Sequence, residues 1–509
     1  PRVCYALSPA LISASNALPS NIGRSQMVHS LAYHFGLLGL PSALENQATS
    51  VANSEEHEED ASTLVRLLAG GNPGQSEGQD GHGSGKEHAA ATSVADHLER
   101  AEVITPEPAT EQELQAFHSG TYIEVLLSGK DQQRPMNDEG CGLVDDCHRF
   151  PELAGHVRLV AGASITAAKC LANDTADIAI NWDGGRHHAH KSRAAGFCYV
   201  NDIVLAILEL RKPRKIDIIR AHDKSKTNGN KRGLKPPALA SRKRRTVLKR
   251  LERLLYLDLD LHWGDGVEEA FRGSSSVLTL SIHNRARGFY PVAPDVLTGR
   301  NDFEEGKDTS DARKDAHSLH LPLHPDAGPG SWARVWSSCV MPVLAAYEPE
   351  AIVVQCGLDG LAGDPMKQWN LDLNSVLLSV DHVLRYARQR PGIKVLLFGG
   401  GGYNSPNAAR GWTAITALAL GRLDLGSGHG HSSAPPDAES PGAHIRSTCS
   451  LEGKSNDVLL PPDVLTLQSA IPETSPDWPL YGAAATLDIP AGDRLDLLND
   501  EEYLRKVEQ

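Results

Sequence analysis

Residues 255–266 read LYLDLDLHWGDG, an apolar run that acids and a histidine enter only toward its end. A strand buried on both faces of a parallel sheet is near-continuously apolar, so a strand is predicted over Leu254–Leu261. Three other stretches have the same form: AINWDGGRHH (179–188), VVQCGLDG (353–360) and LLFGGGGY (396–403). Further strands are therefore predicted at Ile178–Asn181, Val277–Ser281, Ala351–Gln355 and Lys394–Phe398. Helical patterns lie among them at Leu159–Leu171, Val200–Leu210, Trp332–Tyr347, Val376–Arg388 and Ala408–Leu420. Strands alternating with helices argue for an α/β chain with a parallel sheet joined by crossover helices. Ligands bind such sheets at the carboxyl ends of the strands, so the four reactive ends should meet in one place.

Asp258, Asp260 and His262 share one face if the strand continues through them, which at ~3.3 Å per residue sets Asp258 and His262 ~13 Å apart. One ion with ligand bonds of ~2 Å cannot reach both. Asp260 and His262 are the better metal pair, with Asp258 as a supporting group and Asp359, at the end of its own strand, as third ligand. One His and two carboxylates leave an open coordination position, as catalytic zinc sites do. The plain alternative is a solvated acidic strand end. His187 and His188 follow Gly184 and Gly185, whose bend lets two adjacent side chains serve one site. A neutral imidazole suits proton transfer, and Asp258 and Asp265 are candidates to orient the two rings. Gly399–Gly402 lacks a nucleotide-binding pattern. It lets the backbone approach a ligand closely and leaves Tyr403 to aim its phenol inward, where it can stabilise an oxyanion.

The 509 residues suit one large domain with insertions, or two domains. Hydrophobic residues at 40% and charged residues at 22% are ordinary for a globular chain, while 5% aromatics point to diluting low-complexity segments. Three such segments are read. Residues 45–100 are rich in Gly, Ser, His and acid and are expected not to fold; 212–253 contains SRKRR and KRLER; 426–470 is expected to be mobile. The expected division is a catalytic domain over 1–425, interrupted by the first two insertions, then the third, then a segment 471–509 that returns to the domain. The net charge is −14, so the basic 212–253 segment stands out. Its alternatives are a solvated loop, a nuclear-localisation signal or a phosphate or nucleic-acid contact. Eight scattered cysteines without CxxC spacing indicate neither a disulfide framework nor a cysteine metal cluster, and fit a reducing nuclear or cytoplasmic compartment. No apolar run is long enough to span a bilayer, and no membrane association is expected.

Taken together, SQMVHSL (25–31), NWDGGRHHAHKSRAAGFCYVND (181–202), YLDLDLHWGDGVEEAF (256–271), LSIH (280–283), GLDGLAGDPMKQWNL (357–371) and GGGGYN (399–404) resemble the class I zinc-dependent histone deacetylases, in the same order along the chain. The resemblance implies an arginase-deacetylase fold with a central eight-stranded parallel sheet flanked by helices. It places Zn2+ on Asp260, His262 and Asp359, pairs His187 with Asp258 and His188 with Asp265, and turns Tyr403 toward an acetyl carbonyl. It implies an acetyl-lysine tunnel walled by Gly196, Phe197, Tyr290 and Met366, and a structural K+ near Asp258, Asp260, His262, Ser281 and Ile282. The implied activity is hydrolysis of acetyl-lysine in proteins, histone tails among them, with a role in transcriptional repression, corepressor partners and nuclear residence. Three departures stand out. The acidic rim residue falls at Asn137 or Asp138, of which Asp138 is preferred; Arg186 occupies a commonly apolar position beneath the site, near Arg24; and YPVAPD (290–295) alters the tunnel mouth. The rivals are an acetylpolyamine amidohydrolase or binuclear hydrolase of the same fold, and a non-catalytic corepressor scaffold.

Overall fold

The computed structural model describes residues 1–40, 54–70, 99–128, 138–219, 244–292, 316–426, 464–482 and 485–509. Eleven strands are assigned among them: β1 (Val3–Ala6), β2 (Leu38–Gly39), β3 (Ala101–Ile104), β4 (Ile178–Asn181), β5 (Arg214–Ile219), β6 (Arg244–Lys249), β7 (Leu254–Asp258), β8 (Val277–Asn284), β9 (Ser318–Leu323), β10 (Ala351–Gln355) and β11 (Lys394–Phe398). Nine form one sheet in the order β2-β3-β1-β4-β11-β10-β7-β8-β9. Every pairing in it is parallel. The expected α/β fold is present; the ninth strand is the two-residue edge piece β2, beside eight strands of at least four residues.

The apolar runs read correctly because β4, β7, β8, β10 and β11 are buried along their whole length. Helices cover both faces. On one, Leu255, Leu257, Ile352, Val354, Val395 and Leu397 pack with Leu373, Leu377 and Trp412. On the other, Leu254, Tyr256, Val353 and Leu396 pack with Ile203 and Ile207 of the helix Asp202–Leu210. Alternate side chains of each strand thus feed two separate cores, as a period of two requires.

Two expectations change. Strand β7 stops at Asp258, three residues short of the predicted end. The Asp258 carboxylate accepts the Asp260 amide at 3.1 Å, and Asp260 accepts the His262 amide at 3.0 Å, so successive side-chain turns replace the ladder. Within 45–100, expected not to fold, residues 54–68 form a helix. SEEHEED supplies the charged part, and Leu64, Leu67 and Leu68, spaced for one helical face, are buried. Ser30 of the helix Arg24–His34 donates to the Leu68 carbonyl at 2.7 Å. In the basic segment, β5 and β6 pair as an antiparallel hairpin apart from the main sheet. Residues 45–53, 71–98, 220–243 and 427–463 of the three insertions lie outside the described residues. Beyond the last of them, Leu487 and Ile489 are buried in the main core and Asn499 accepts the His324 amide at 2.8 Å.

Among the described residues no helix is long and apolar enough to cross a membrane.

Candidate metal centre and catalytic cavity

The four reactive sequence ends sit on four consecutive strands, β4-β11-β10-β7. Parallel direction puts all their carboxyl ends on one edge of the sheet, where Asp260, His262 and Asp359 meet. Their ligand atoms all lie within 4.8 Å of one another. His262 Nδ1 is 3.0 Å from Asp260 Oδ1 and 2.9 Å from Asp359 Oδ2. All three residues are buried. Backbone and amide donors fix the carboxylates: Gln355 Nε2 donates to Asp260 Oδ2 at 2.6 Å, the Gly401 amide to the same oxygen at 2.8 Å, and the Leu261 amide to Asp359 Oδ1 at 2.9 Å. Asp359 Oδ2 is left without an aligned donor although it is buried. Burial, and then the charge of Asp260, push the Asp359 carboxyl up to about 7. Two crowded carboxylates with an imidazole nitrogen between them, one oxygen lacking a hydrogen bond, are what a bound cation satisfies. The residues fit a zinc ion.

Asp258 lies outside this trio. Its Oδ2 is 2.9 Å from His187 Nδ1 and accepts the Tyr256 hydroxyl at 2.6 Å. Asp258, expected as a supporting group, has His187 and Tyr256 as its side-chain neighbours. The turn after Asp258, not strand length, separates it from the trio. His188 Nδ1 is 2.7 Å from Asp265 Oδ1. The two imidazole rings lie 3.9 Å apart, centre to centre. The loop that carries them is held from below: Asp202 accepts the Gly185 and Arg186 amides at 3.1 and 2.8 Å, and the Asn201 amide group donates to the carbonyls of His187 and Ala189. Burial disfavours a charge on His187, but Asp258 and Asp260 outweigh it and hold the ring up at about 9. Burial and the charge on His187 push His188 down to about 4, against the pull of Asp265.

A narrow cavity opens beside the trio, lined by His187, His188, Phe197, Asp260, Gly401 and Tyr403 among others. Glycine is required at two of its walls. A Cβ on Gly401 would stand 2.2 Å from Asp359 Oδ2, and one on Gly196, at φ +52°, would stand 2.4 Å from the His188 ring. Phe197 itself adopts φ 62°, an uncommon conformation for a non-glycine residue, and sets its ring edge-on to Tyr403 at 5.9 Å. Tyr290 stands 43% exposed with its ring 5.2 Å from His188, at the outer side. Met366 is half-buried against the main core and does not line the cavity.

Asp138, the expected rim acid, has Arg149 as its partner. Asp138 takes the Arg149 guanidinium at 2.9 to 3.1 Å on both of its oxygens, and it does not line the cavity. Asn137 lies outside the described residues, as do residues 293–295 of the altered mouth. Strand pairing sets Asp258 opposite Ser281, with Ile282 next along β8 and fully buried.

Sequence reasoning passed over several partners. Gln355 holds Asp260, and its position at the end of β10 was the available signal. Phe289 stacks on His262 at 4.9 Å between ring centres. His190 links Asp265 to Glu269, its Nδ1 2.5 Å from the latter. Nothing in the pattern around His190 announced that bridge.

A parallel α/β sheet carrying a buried Asp-His-Asp group that could hold a metal, beside a paired His-His set, is consistent with the arginase-deacetylase fold. The family model described as the histone deacetylase domain matches residues 86–222 and 238–419. The chain belongs to the histone deacetylase family, whose activity is hydrolytic deacetylation. It is 33% identical to Histone deacetylase 8 of Xenopus laevis over 322 residues, which cover 63% of this chain and 83% of that protein. The Xenopus tropicalis protein of the same name is 34% identical over 327 residues, 64% of this chain and 74% of the relative. Histone deacetylase 2 of Oryza sativa subsp. japonica is 35% identical over 325 residues, 63% of this chain and 53% of the relative. Strand β1, which lies between β3 and β4, precedes the family-matched residues.

Proposed function

We propose that this chain is a zinc-dependent protein lysine deacetylase, acting on acetylated histone tails or other acetyl-lysine proteins. The convergence of Asp260, His262 and Asp359 beside His188 and Tyr403 carries that reading. Bound zinc supplies Lewis-acid chemistry: it polarises an amide carbonyl and acidifies water. His188, its Nδ1 tied to Asp265, presents Nε2 as the base that takes a proton from the attacking water. Tyr403, on the cavity wall, donates its hydroxyl to the oxyanion formed from the acetyl carbonyl. A protonated histidine of the pair then delivers a proton to the departing lysine amine. Phe197 and Tyr290 flank the aliphatic stem of the lysine, with Gly196 leaving room beside His188.

The same reading gives K+ a structural place near Asp258, Asp260, His262, Ser281 and Ile282. It assigns the chain a chromatin role in repression, with corepressor subunits as partners and with the basic 212–253 segment as a phosphate or nucleic-acid contact. Nuclear residence follows from that segment, with the cytoplasm as second compartment. In cells, neutral replacements across Arg242–Arg245 should move a nuclear tagged chain outward, and unchanged localisation would remove this part.

The direct test is turnover of an acetyl-lysine peptide by the purified protein. Hydrolysis is expected to stop on treatment with a zinc chelator and to return when zinc is restored, with about one zinc per chain by elemental analysis. Two manganese ions per chain, or full turnover in the chelator, would favour a different hydrolase of this fold.

A further inference from the structure

The chemistry above leaves Arg186 unused. Its side chain is 5% exposed and lines the same cavity as His187, His188 and Tyr403. Nη2 donates to the Asp183 carbonyl at 3.0 Å, while Nε is buried with no acceptor. The carboxylates that feel its charge are already engaged. Asp183 stands 2.9 Å from His29 Nε2, and Asp202 accepts the Ser164 hydroxyl at 2.5 Å together with the two loop amides. Asn21 lines the cavity as well, and its side-chain oxygen is buried and unpartnered. Arg24, by contrast, is committed. It donates to the carbonyls of Gly400 and Gly402 at 3.1 and 2.8 Å and lies over the Trp412 ring at 4.8 Å.

Two buried guanidiniums thus lie within electrostatic reach of each other. Arg186, which lines the catalytic cavity, keeps an N–H that no protein atom accepts. Burying a donor unpaired is costly, and more so when the group is charged. A planar guanidinium in such a place is matched by a carboxylate, which can accept two of its N–H groups at once.

The acyl group of any substrate enters this cavity, because its carbonyl must lie between Tyr403, His188 and the Asp-His-Asp group. Arg186 and Asn21 are on the wall of that same cavity, within the space a longer acyl group would have to share. An acetyl methyl offers no acceptor to the Arg186 Nε–H. We propose that Arg186 makes the inner end of the cavity a carboxylate subsite, so that the chain hydrolyses malonyl-lysine or succinyl-lysine in preference to neutral acyl-lysines of the same length. The reaction remains a hydrolysis. Water adds to the acyl carbon, the amide C–N bond breaks, and the proton goes to the lysine amine, releasing malonate or succinate. The inference rests on the deacetylase reading above.

The test uses the zinc-loaded full chain and one peptide sequence bearing acetyl, propionyl, butyryl, malonyl or succinyl groups on the same lysine. The kcat/KM for the malonyl or succinyl peptide is expected to exceed that of its neutral counterpart by at least about tenfold, since a group built to hydrogen-bond a substrate discriminates strongly against an analogue lacking the partner. In R186L the ratio should fall at least about tenfold, and R186K should retain part of it. If R186L does not fold, R186K against the parent carries the comparison. Calorimetric titration with succinate and butyrate gives a second readout: tighter succinate binding is expected, with the difference lost in the variant. Acetyl hydrolysis without any advantage for the acidic acyl groups would overturn this inference alone. Failure to hydrolyse every acyl peptide, with no succinate preference in binding, would overturn the deacetylase reading as well.

Discussion

Asp260→Asn is expected to strip the chain of zinc and abolish acetyl-lysine hydrolysis. Asp260 is the hub of the trio. One oxygen accepts from Gln355 and Gly401, and the other faces His262 at 3.0 Å. An asparagine has the same size but only one acceptor oxygen. Either its NH2 group opposes the donors of Gln355 and Gly401, or it faces the ion. A metal supplies several kcal/mol of transition-state stabilisation, and each 1.36 kcal/mol is a factor of ten in rate. Turnover should fall on the order of 10^3-fold or more. Elemental analysis of the purified variant should find zinc reduced from about one per chain to a small fraction. A variant that kept both its zinc and half its rate would sink the assignment.

His188→Ala should keep the zinc and lose the chemistry. The His188 ring touches the trio only through an edge contact, 5.7 Å from the His262 ring centre, so its removal leaves the ligands in place. What disappears is a neutral imidazole fixed by Asp265 with its free nitrogen toward the cavity. Positioned general bases contribute about 10^2 to 10^4-fold. The loss should appear in kcat rather than in KM, because the base acts in the transition state more than in binding. Steady-state kinetics beside a metal assay separate the outcomes. Full kcat in the alanine variant would transfer the base role to another group, with His187 next in line.

These two residues show how unevenly the site was legible. Asp260, His262 and Asp359 were readable because acids and a histidine at the ends of apolar strands are costly to bury without a partner. Parallel strands must present those ends on one edge, which makes convergence a consequence of pattern. The helix at 54–68 was missed because its first half is so acidic that composition outweighed the three leucines of its buried face. Asp138 shows what a sequence cannot display about a side chain's partners. A carboxylate near the rim looks available in a sequence, yet Arg149, eleven residues on, takes both of its oxygens.

By itself, the sequence determined the α/β class and the strands that carry chemistry, and it singled out Asp260, His262 and Asp359 as a candidate metal group. These follow from local pattern and from the direction that crossover helices impose. Only the tertiary structure decided that β7 ends at Asp258, that Gln355 and the Gly401 amide hold Asp260, and that Arg186 keeps an unpaired donor in the catalytic cavity. Each of these depends on distances between atoms far apart in the chain, and no periodicity records them.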